Sequence, residues 1–166
     1  VSEFELMYLR TTSLRTAEDV SWEIQVQLGC FHIYSMPGRN EKGYAICART
    51  GSLRDLGAHL HRLKVHDPVA VVADETVARL YGDQVLEALS EAHCGAHLVT
   101  FPPGEASKTL DTVSYLWQDF LSHSMERSST VVALGGGVTT DLAGFAASTY
   151  LRGLHWIAVP TTLLGM

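Results

Sequence analysis

The sequence predicts an α/β fold, an open sheet of largely parallel strands preceded by an amino-terminal hairpin. From Ser52 onward, short apolar runs of strand length alternate with segments whose apolar residues recur every three or four positions. The runs PVAVVA and TVVAL are continuously apolar, the pattern of strands covered on both faces. The segments between them are long enough to be the crossover helices that parallel strands require.

Trp22–Leu28 (WEIQVQL) alternates apolar and polar residues and reads as a half-buried strand, and Gly43–Arg49 (GYAICAR) as a second one. The turn chemistry of MPGRNEKG lies between them and makes a long-looped hairpin. Residues 1–21 show no clean period and read as an amino-terminal extension or edge segment, leaving 22–166 as the α/β domain. Leu53, Leu56, Leu60 and Leu63 mark a helix with Ser52 placed to cap it. Then follow a strand at Pro68–Ala73, a helix at Thr76–Ala92 with Val77, Leu80, Tyr81, Val85, Leu86 and Leu89 on its apolar face, and a strand at Ala96–Phe101. A helix from about Glu105 to His123, a strand at Thr130–Leu134, a small-residue helix from about Val138 to Tyr150 and a strand at His155–Val159 complete the series.

The 166 residues suffice for one ordinary domain, and 46% hydrophobic with 18% charged residues excludes a disordered or low-complexity chain. A net charge of −6 without any basic run argues against nucleic acid or an anionic membrane as partner. Cys30, Cys47 and Cys94 are an odd set without a CxxC pair, a poor disulfide or zinc framework that points to a reducing, cytoplasmic compartment. No apolar stretch approaches the roughly 18 to 20 residues of a membrane helix, and VSEFELMYLRTTSLR lacks a signal core, so the start reads as unprocessed.

In an open α/β sheet ligands sit beyond the carboxyl ends of the strands, which directs attention to the loops after Val72, Phe101, Leu134 and Val159. In TVVALGGGVTTDLAGF a buried strand runs through Gly135, Gly136 and Gly137 straight into a helix. Glycines admit a phosphate close to the backbone, and the helix amino terminus adds unpaired N–H donors and partial positive charge. The GxGxxG pattern is only partly met, because Thr140 stands at its third position. Asp74, ending the PVAVVAD strand, suits either a ribose hydroxyl or a helix N-cap. In FPPGEASK, Glu105 and Lys108 lie three apart on a first helical turn, facing one crevice or forming an exposed ion pair. Thr161 and Thr162 of VPTTLLGM offer hydroxyls to a helix cap or to a ligand. The pairs His59/His61 and His93/His97 read as ordinary histidines rather than metal ligands, since residues i and i+2 diverge on a helix and Gly95 interrupts HCGAH.

PPGEASKTL, GGGVTTDLAGFAASTYLRG and VPTTLL, in this order, resemble the amino-terminal half of the 3-dehydroquinate synthase family, within the wider sugar phosphate cyclases, over roughly Trp22 to Met166. The resemblance implies a Rossmann-like NAD-binding domain followed by a helical domain. It also implies cyclisation of 3-deoxy-D-arabino-heptulosonate 7-phosphate to 3-dehydroquinate with loss of phosphate, in the shikimate route to aromatic amino acids. NAD would oxidise a substrate hydroxyl transiently and be regenerated in the same turnover. By the same resemblance, Asp74 and Thr76 fall beside the adenosine ribose, and Glu105 and Lys108 on nucleotide contacts. Gly136, Gly137 and Val138 fall on the pyrophosphate, Asp141 towards the nicotinamide, and Thr161, Thr162 and Leu164 on the cofactor from the PTT loop. Arg152, in YLRG, matches an arginine that binds substrate phosphate across a homodimer contact. Thr76 and Thr140 depart from the Asn and Gly of many relatives. The family's divalent metal, zinc or cobalt, takes one Glu and two His from the helical domain, which is missing from the stretch that matches. No catalytic residue or metal ligand is therefore expected here, and the sequence is expected to be partial and inactive alone. Three other readings remain: a sedoheptulose 7-phosphate cyclase of the valiolone-synthase type, a glycerol-dehydrogenase type of alcohol dehydrogenase, against which PPGEASK and YLRG speak, and a non-catalytic nucleotide-binding module.

Overall fold

The computed structural model describes residues 5–10, 30–33, 44–49, 51–62 and 65–162. They form one seven-stranded sheet. In chain order its elements are β1 (Glu5–Arg10), β2 (Cys30–Ile33), β3 (Tyr44–Arg49), α1 (Leu56–Arg62), β4 (His66–Asp74), α2 (Glu75–Val77), a π-helical turn (Ala78–Gly82) and α3 (Asp83–Glu91). β5 (Ala96–Phe101), α4 (Leu110–Ser122), β6 (Ser129–Gly135), α5 (Gly137–Thr149) and β7 (His155–Pro160) follow. The strand order is β2-β3-β1-β7-β6-β4-β5.

The four strands β7, β6, β4 and β5 pair in parallel, as the alternating periods predict. Along β4 the side chains of Val69, Val71 and Ala73 enter one core with α1 and α3 (Leu56, Leu60, Val85, Leu89). Those of Ala70 and Val72 enter a second core with α4 and α5 (Val113, Leu116, Phe120, Leu142, Ala146). Successive strand residues point to opposite faces, so burial on both faces demands the unbroken apolar run seen in the sequence. Each fully buried Val, Leu or Phe contributes about 1.5 to 3 kcal/mol of transfer free energy.

The amino-terminal part differs in detail from expectation. β2 and β3 form the antiparallel hairpin, with Cys30 opposite Cys47 in the register. The expected strand Trp22–Leu28 lies outside the described residues. Within the segment read as an extension or edge, β1 lies inside the sheet, antiparallel to both β3 and β7, and so joins the hairpin to the parallel strands. The helix expected over Thr76–Ala92 is interrupted by the π-helical turn. The wide turn rotates the apolar stripe, and Leu80, expected on the buried face, is 67% exposed. No helix of the described residues is long and apolar enough to cross a membrane.

From β4 the chain crosses to β5 on one side and then, through α4, to β6 on the other side of β4. The loops leaving β4 and β6 therefore part in opposite directions above adjacent strands, the topological switch at which open α/β sheets bind ligands. The registers Asp74↔Phe101, Ala73↔Leu134 and Gly135↔Pro160 align all four carboxyl ends at that edge.

Candidate functional site

β6 ends at Gly135 because α5 begins almost on top of it. A Cβ on Gly135 would lie 2.4 Å from Thr139 Oγ1 and 2.7 Å from Thr139 Cβ. Thr139 is 1% exposed, and its hydroxyl has no hydrogen-bond partner among the described residues. Gly136 is the N-cap of α5 and supplies no side-chain cap. A Cβ on Gly137 would meet nothing within 4 Å. The 13-residue helix thus starts without a cap from its own N-cap side chain and with open space beside Gly137, and its amino terminus carries partial positive charge. Thr140 is accommodated without intruding, because its hydroxyl donates back to the Gly137 carbonyl at 3.1 Å. The Val138 side chain packs against the core shared by α4 and α5, leaving only its backbone to the crevice.

The PTT loop closes on this turn. The Thr161 amide donates to the Gly135 carbonyl at 3.0 Å, and the Thr162 side chain lies against Gly136, 3.0 Å from where a Cβ would stand. Leu164 lies outside the described residues.

The loop after β5 delivers the third component. Gly104 has φ +104°, a conformation that favours glycine, and it opens a single 3₁₀ turn, Glu105–Ser107. The buried Ser107 hydroxyl donates to the Pro102 carbonyl and closes the loop on itself. Thr109 then starts α4, its hydroxyl accepting from the Thr112 amide at 3.2 Å. Replacing Thr109 with Ala is expected to cost about 1 kcal/mol, read as a fall of about 2 to 4 °C in thermal midpoint. This turn holds Lys108 so that its Nζ lies 2.9 Å from Asp141 Oδ2 and 3.3 Å from Glu105 Oε2. The i,i+3 pair foreseen in the sequence exists, but the shorter bond bridges to α5. Hydrogen bonding to Asp141 first, and then to Glu105, raises the Lys108 pKa above its ordinary value against an opposing desolvation. The ammonium is therefore charged throughout the neutral range.

Asp74 serves as the N-cap of α2: its Oδ1 accepts from the amides of Thr76 (2.8 Å) and Val77 (3.0 Å). Both bonds use one oxygen. The Thr76 side chain is exposed.

Glu105, Lys108, Gly136, Gly137, Val138, Asp141, Thr161 and Thr162 thus surround one turn, with Asp74 on the adjacent strand end. Arg152 is not brought there. α5 runs from the crevice to the far edge of the sheet, and Arg152 sits beyond its carboxyl end, exposed, in a turn where Leu151 (φ 47°), Arg152 (φ 71°) and Gly153 (φ 111°) all have positive φ. Sequence reasoning missed Thr139, whose placement follows from its position one turn below Gly135 rather than from any motif.

Residues 98–166 match the family described as 3-dehydroquinate synthase N-terminal. The chain is 42% identical over 123 residues to a 3-dehydroquinate synthase of Rippkaea orientalis, covering 74% of this chain and 34% of that protein. Among solved structures it is similar to 2-deoxy-scyllo-inosose synthase in complex with carbaglucose-6-phosphate, NAD+ and Co2+ (TM-score 0.64, 30% identity, 69% of this chain and 31% of that one). It is also similar to a 2-epi-5-epi-valiolone synthase from Streptomyces hygroscopicus with NAD+ and Zn2+ bound (TM-score 0.56, 34% identity, 61% of this chain and 28% of that one). The chain spans about a third of the length of the curated relatives it matches.

Proposed function

We propose that this chain, which belongs to the 3-dehydroquinate synthase family through residues 98–166, is the NAD-binding part of a 3-dehydroquinate synthase. The observation that carries the reading is the convergence of Lys108, Glu105 and Asp141 on a glycine-led helix amino terminus at the topological switch of the sheet. The crevice fits a dinucleotide on its own features: open space over Gly137, a cation beside it, and an unpartnered hydroxyl on buried Thr139. When bound, NAD supplies reversible removal of hydride from a substrate hydroxyl.

The chain's own residues bind and orient. The α5 amides of Gly137 and Val138 and the Lys108 ammonium receive the pyrophosphate. Asp74 keeps Oδ1 on its cap and offers Oδ2 to a ribose hydroxyl, with Thr76 alongside. Asp141 holds Lys108 in place and lies on the nicotinamide side, while Thr161 and Thr162 wall the cofactor from the PTT loop, to which the resemblance adds Leu164. The divalent cation of the relatives finds no ligand set in this crevice among the described residues, where the carboxylates of Glu105 and Asp141 are both paired with Lys108. By the family resemblance, Arg152, beyond the carboxyl end of α5, would serve a substrate phosphate from a second copy of the chain, in a homodimer.

The names of the curated relatives favour 3-deoxy-D-arabino-heptulosonate 7-phosphate as substrate over sedoheptulose 7-phosphate. Calorimetry of the chain with NAD tests the binding reading. Lys108→Met is expected to weaken NAD by about ten- to a hundred-fold through loss of one charge-assisted contact. An unchanged affinity removes Lys108 from the site. Phosphate release from the two seven-carbon substrates, by a protein of the relatives' length containing this chain, tests the reaction, and a preference for sedoheptulose 7-phosphate refutes the assignment.

A further inference from the structure

At the other edge of the sheet, three side chains from two elements meet. His97 is the second residue of β5, and Asp119 and His123 lie at the carboxyl end of α4, which packs over that strand. His97 Nε2 is 2.7 Å from Asp119 Oδ1, and His123 Nδ1 is 3.4 Å from the same oxygen. The two imidazoles are stacked, with centroids 3.6 Å apart and planes 11° from parallel. One ligand atom from each of the three residues lies within 4.8 Å of the others.

We propose that His97, Asp119 and His123 form a site for a divalent transition-metal ion, Zn2+ by the chemistry of its donors, which fastens the edge strand β5 to α4. The side chains of His97 and Asp119 are only 17% and 15% exposed. Among the described residues, these two imidazoles are the only basic groups within ion-pair distance of the Asp119 carboxylate. Neutral imidazole is the form that ligates a metal. A divalent cation held by the two imidazoles and the carboxylate would compensate the Asp119 charge in this half-buried place. Two nitrogens and one carboxylate oxygen match zinc sites with three protein ligands and a fourth position open to water. Ligation requires His123, 44% exposed, to turn about its side-chain torsions and open the stacked pair to a tetrahedral angle. In doing so it gives up the contacts of Nδ1 with the Asp119 carbonyl at 3.0 Å and the Ser122 hydroxyl at 3.1 Å. The local spacing that argued against a metal at His93 and His97 holds for that pair; the partners of His97 come from across the β5–α4 contact.

The site is independent of the NAD reading, since it stands at the opposite end of β5 and α4 from the glycine turn. The test is a titration of the chelator-treated chain with ZnCl2, followed by calorimetry and by thermal midpoint. The expected result is one Zn2+ per chain and, at about a hundred-fold excess over Kd, a midpoint raised by about 5 to 10 °C. His97→Gln and His123→Gln are each expected to weaken binding at least ten-fold and to abolish that rise. Mg2+, which prefers all-oxygen ligands, is expected to leave the midpoint unchanged. His123→Gln alters an exposed residue at a helix end and decides the matter if His97→Gln does not fold. Zinc binding that His123→Gln leaves intact, no rise in midpoint, or an equal rise with Mg2+ overturns the proposal.

Discussion

In a Gly137→Trp chain, NAD affinity is expected to fall by at least about a hundred-fold, about 2.8 kcal/mol, while the thermal midpoint stays within a few degrees of the parent. The expected split between binding and stability comes from the space around the residue. Gly137 is the first residue of α5, and a Cβ there meets nothing within 4 Å, so a side chain can be added without pushing on the fold. The indole would then occupy the volume over the first helical amides, where the pyrophosphate is proposed to lie. Gly137→Ala separates bulk from loss of glycine itself: one methyl group in open space is expected to change affinity by less than about five-fold. Gly136 behaves differently, because its Cβ would press on Thr162 and disturb the PTT loop. Calorimetry and thermal melts on the same samples give both numbers. A Trp variant that binds NAD as the parent does would place the dinucleotide elsewhere and remove the glycine turn from the site.

The parallel half of the fold was legible because its physics is local. A strand buried on both faces is apolar along most of its length, and β6, buried from Ser129 through Gly135, reads that way from Val131 to Leu134, with polar Ser129 and Thr130 only at its start. The helices announce themselves by period, as Val113, Leu116 and Phe120 do on α4. β1 was not legible. ELMYLR sits in a stretch without a clean period, and its place inside the sheet is set by pairing with β3 and β7, the latter almost the whole chain away. Leu80 failed for a related reason: period analysis assumes one pitch throughout, and the π-helical turn changes it.

The site divides along the same line. The loops beyond the carboxyl ends of the strands follow from topology, and Glu105, Lys108 and the glycines lie where that rule directs. That Lys108 bonds more closely to Asp141 than to Glu105 depends on how α5 lies beside the β5 loop, which no spacing encodes. For Asp74, the N-cap and ribose readings looked exclusive in the sequence, and the structure assigns the cap to Oδ1 alone. The His97–Asp119 contact spans 22 residues and lies beyond any local pattern.

Gly57 is the plainest case of a residue whose role is invisible in the sequence, and its replacement should bring the largest loss of stability. It stands in α1, where helix propensity alone favours Ala over Gly by up to about 1 kcal/mol. The structure reverses that sign. A Cβ on Gly57 would lie 2.3 Å from the Ala88 carbonyl oxygen and 2.4 Å from the Ala92 Cβ. Neither atom is the end of a flexible side chain, so relief requires α1 to move away from α3. Leu56 and Leu60 on α1 share a core with Val85 and Leu89 on α3, and all four are fully buried, so that movement loosens packing along the whole contact. Overpacking of this kind costs about 1 to 3 kcal/mol, and the second methyl of a β-branched residue adds to it. Gly57→Val is therefore expected to lose about 3 kcal/mol, seen as a fall of about 6 to 12 °C in thermal midpoint. Gly57→Ala is expected to lose less but still to fall below the parent, opposite to the propensity scale. Urea denaturation of the three proteins decides between packing and propensity, and a Gly57→Ala chain as stable as the parent would show slack in the α1–α3 contact that these distances deny.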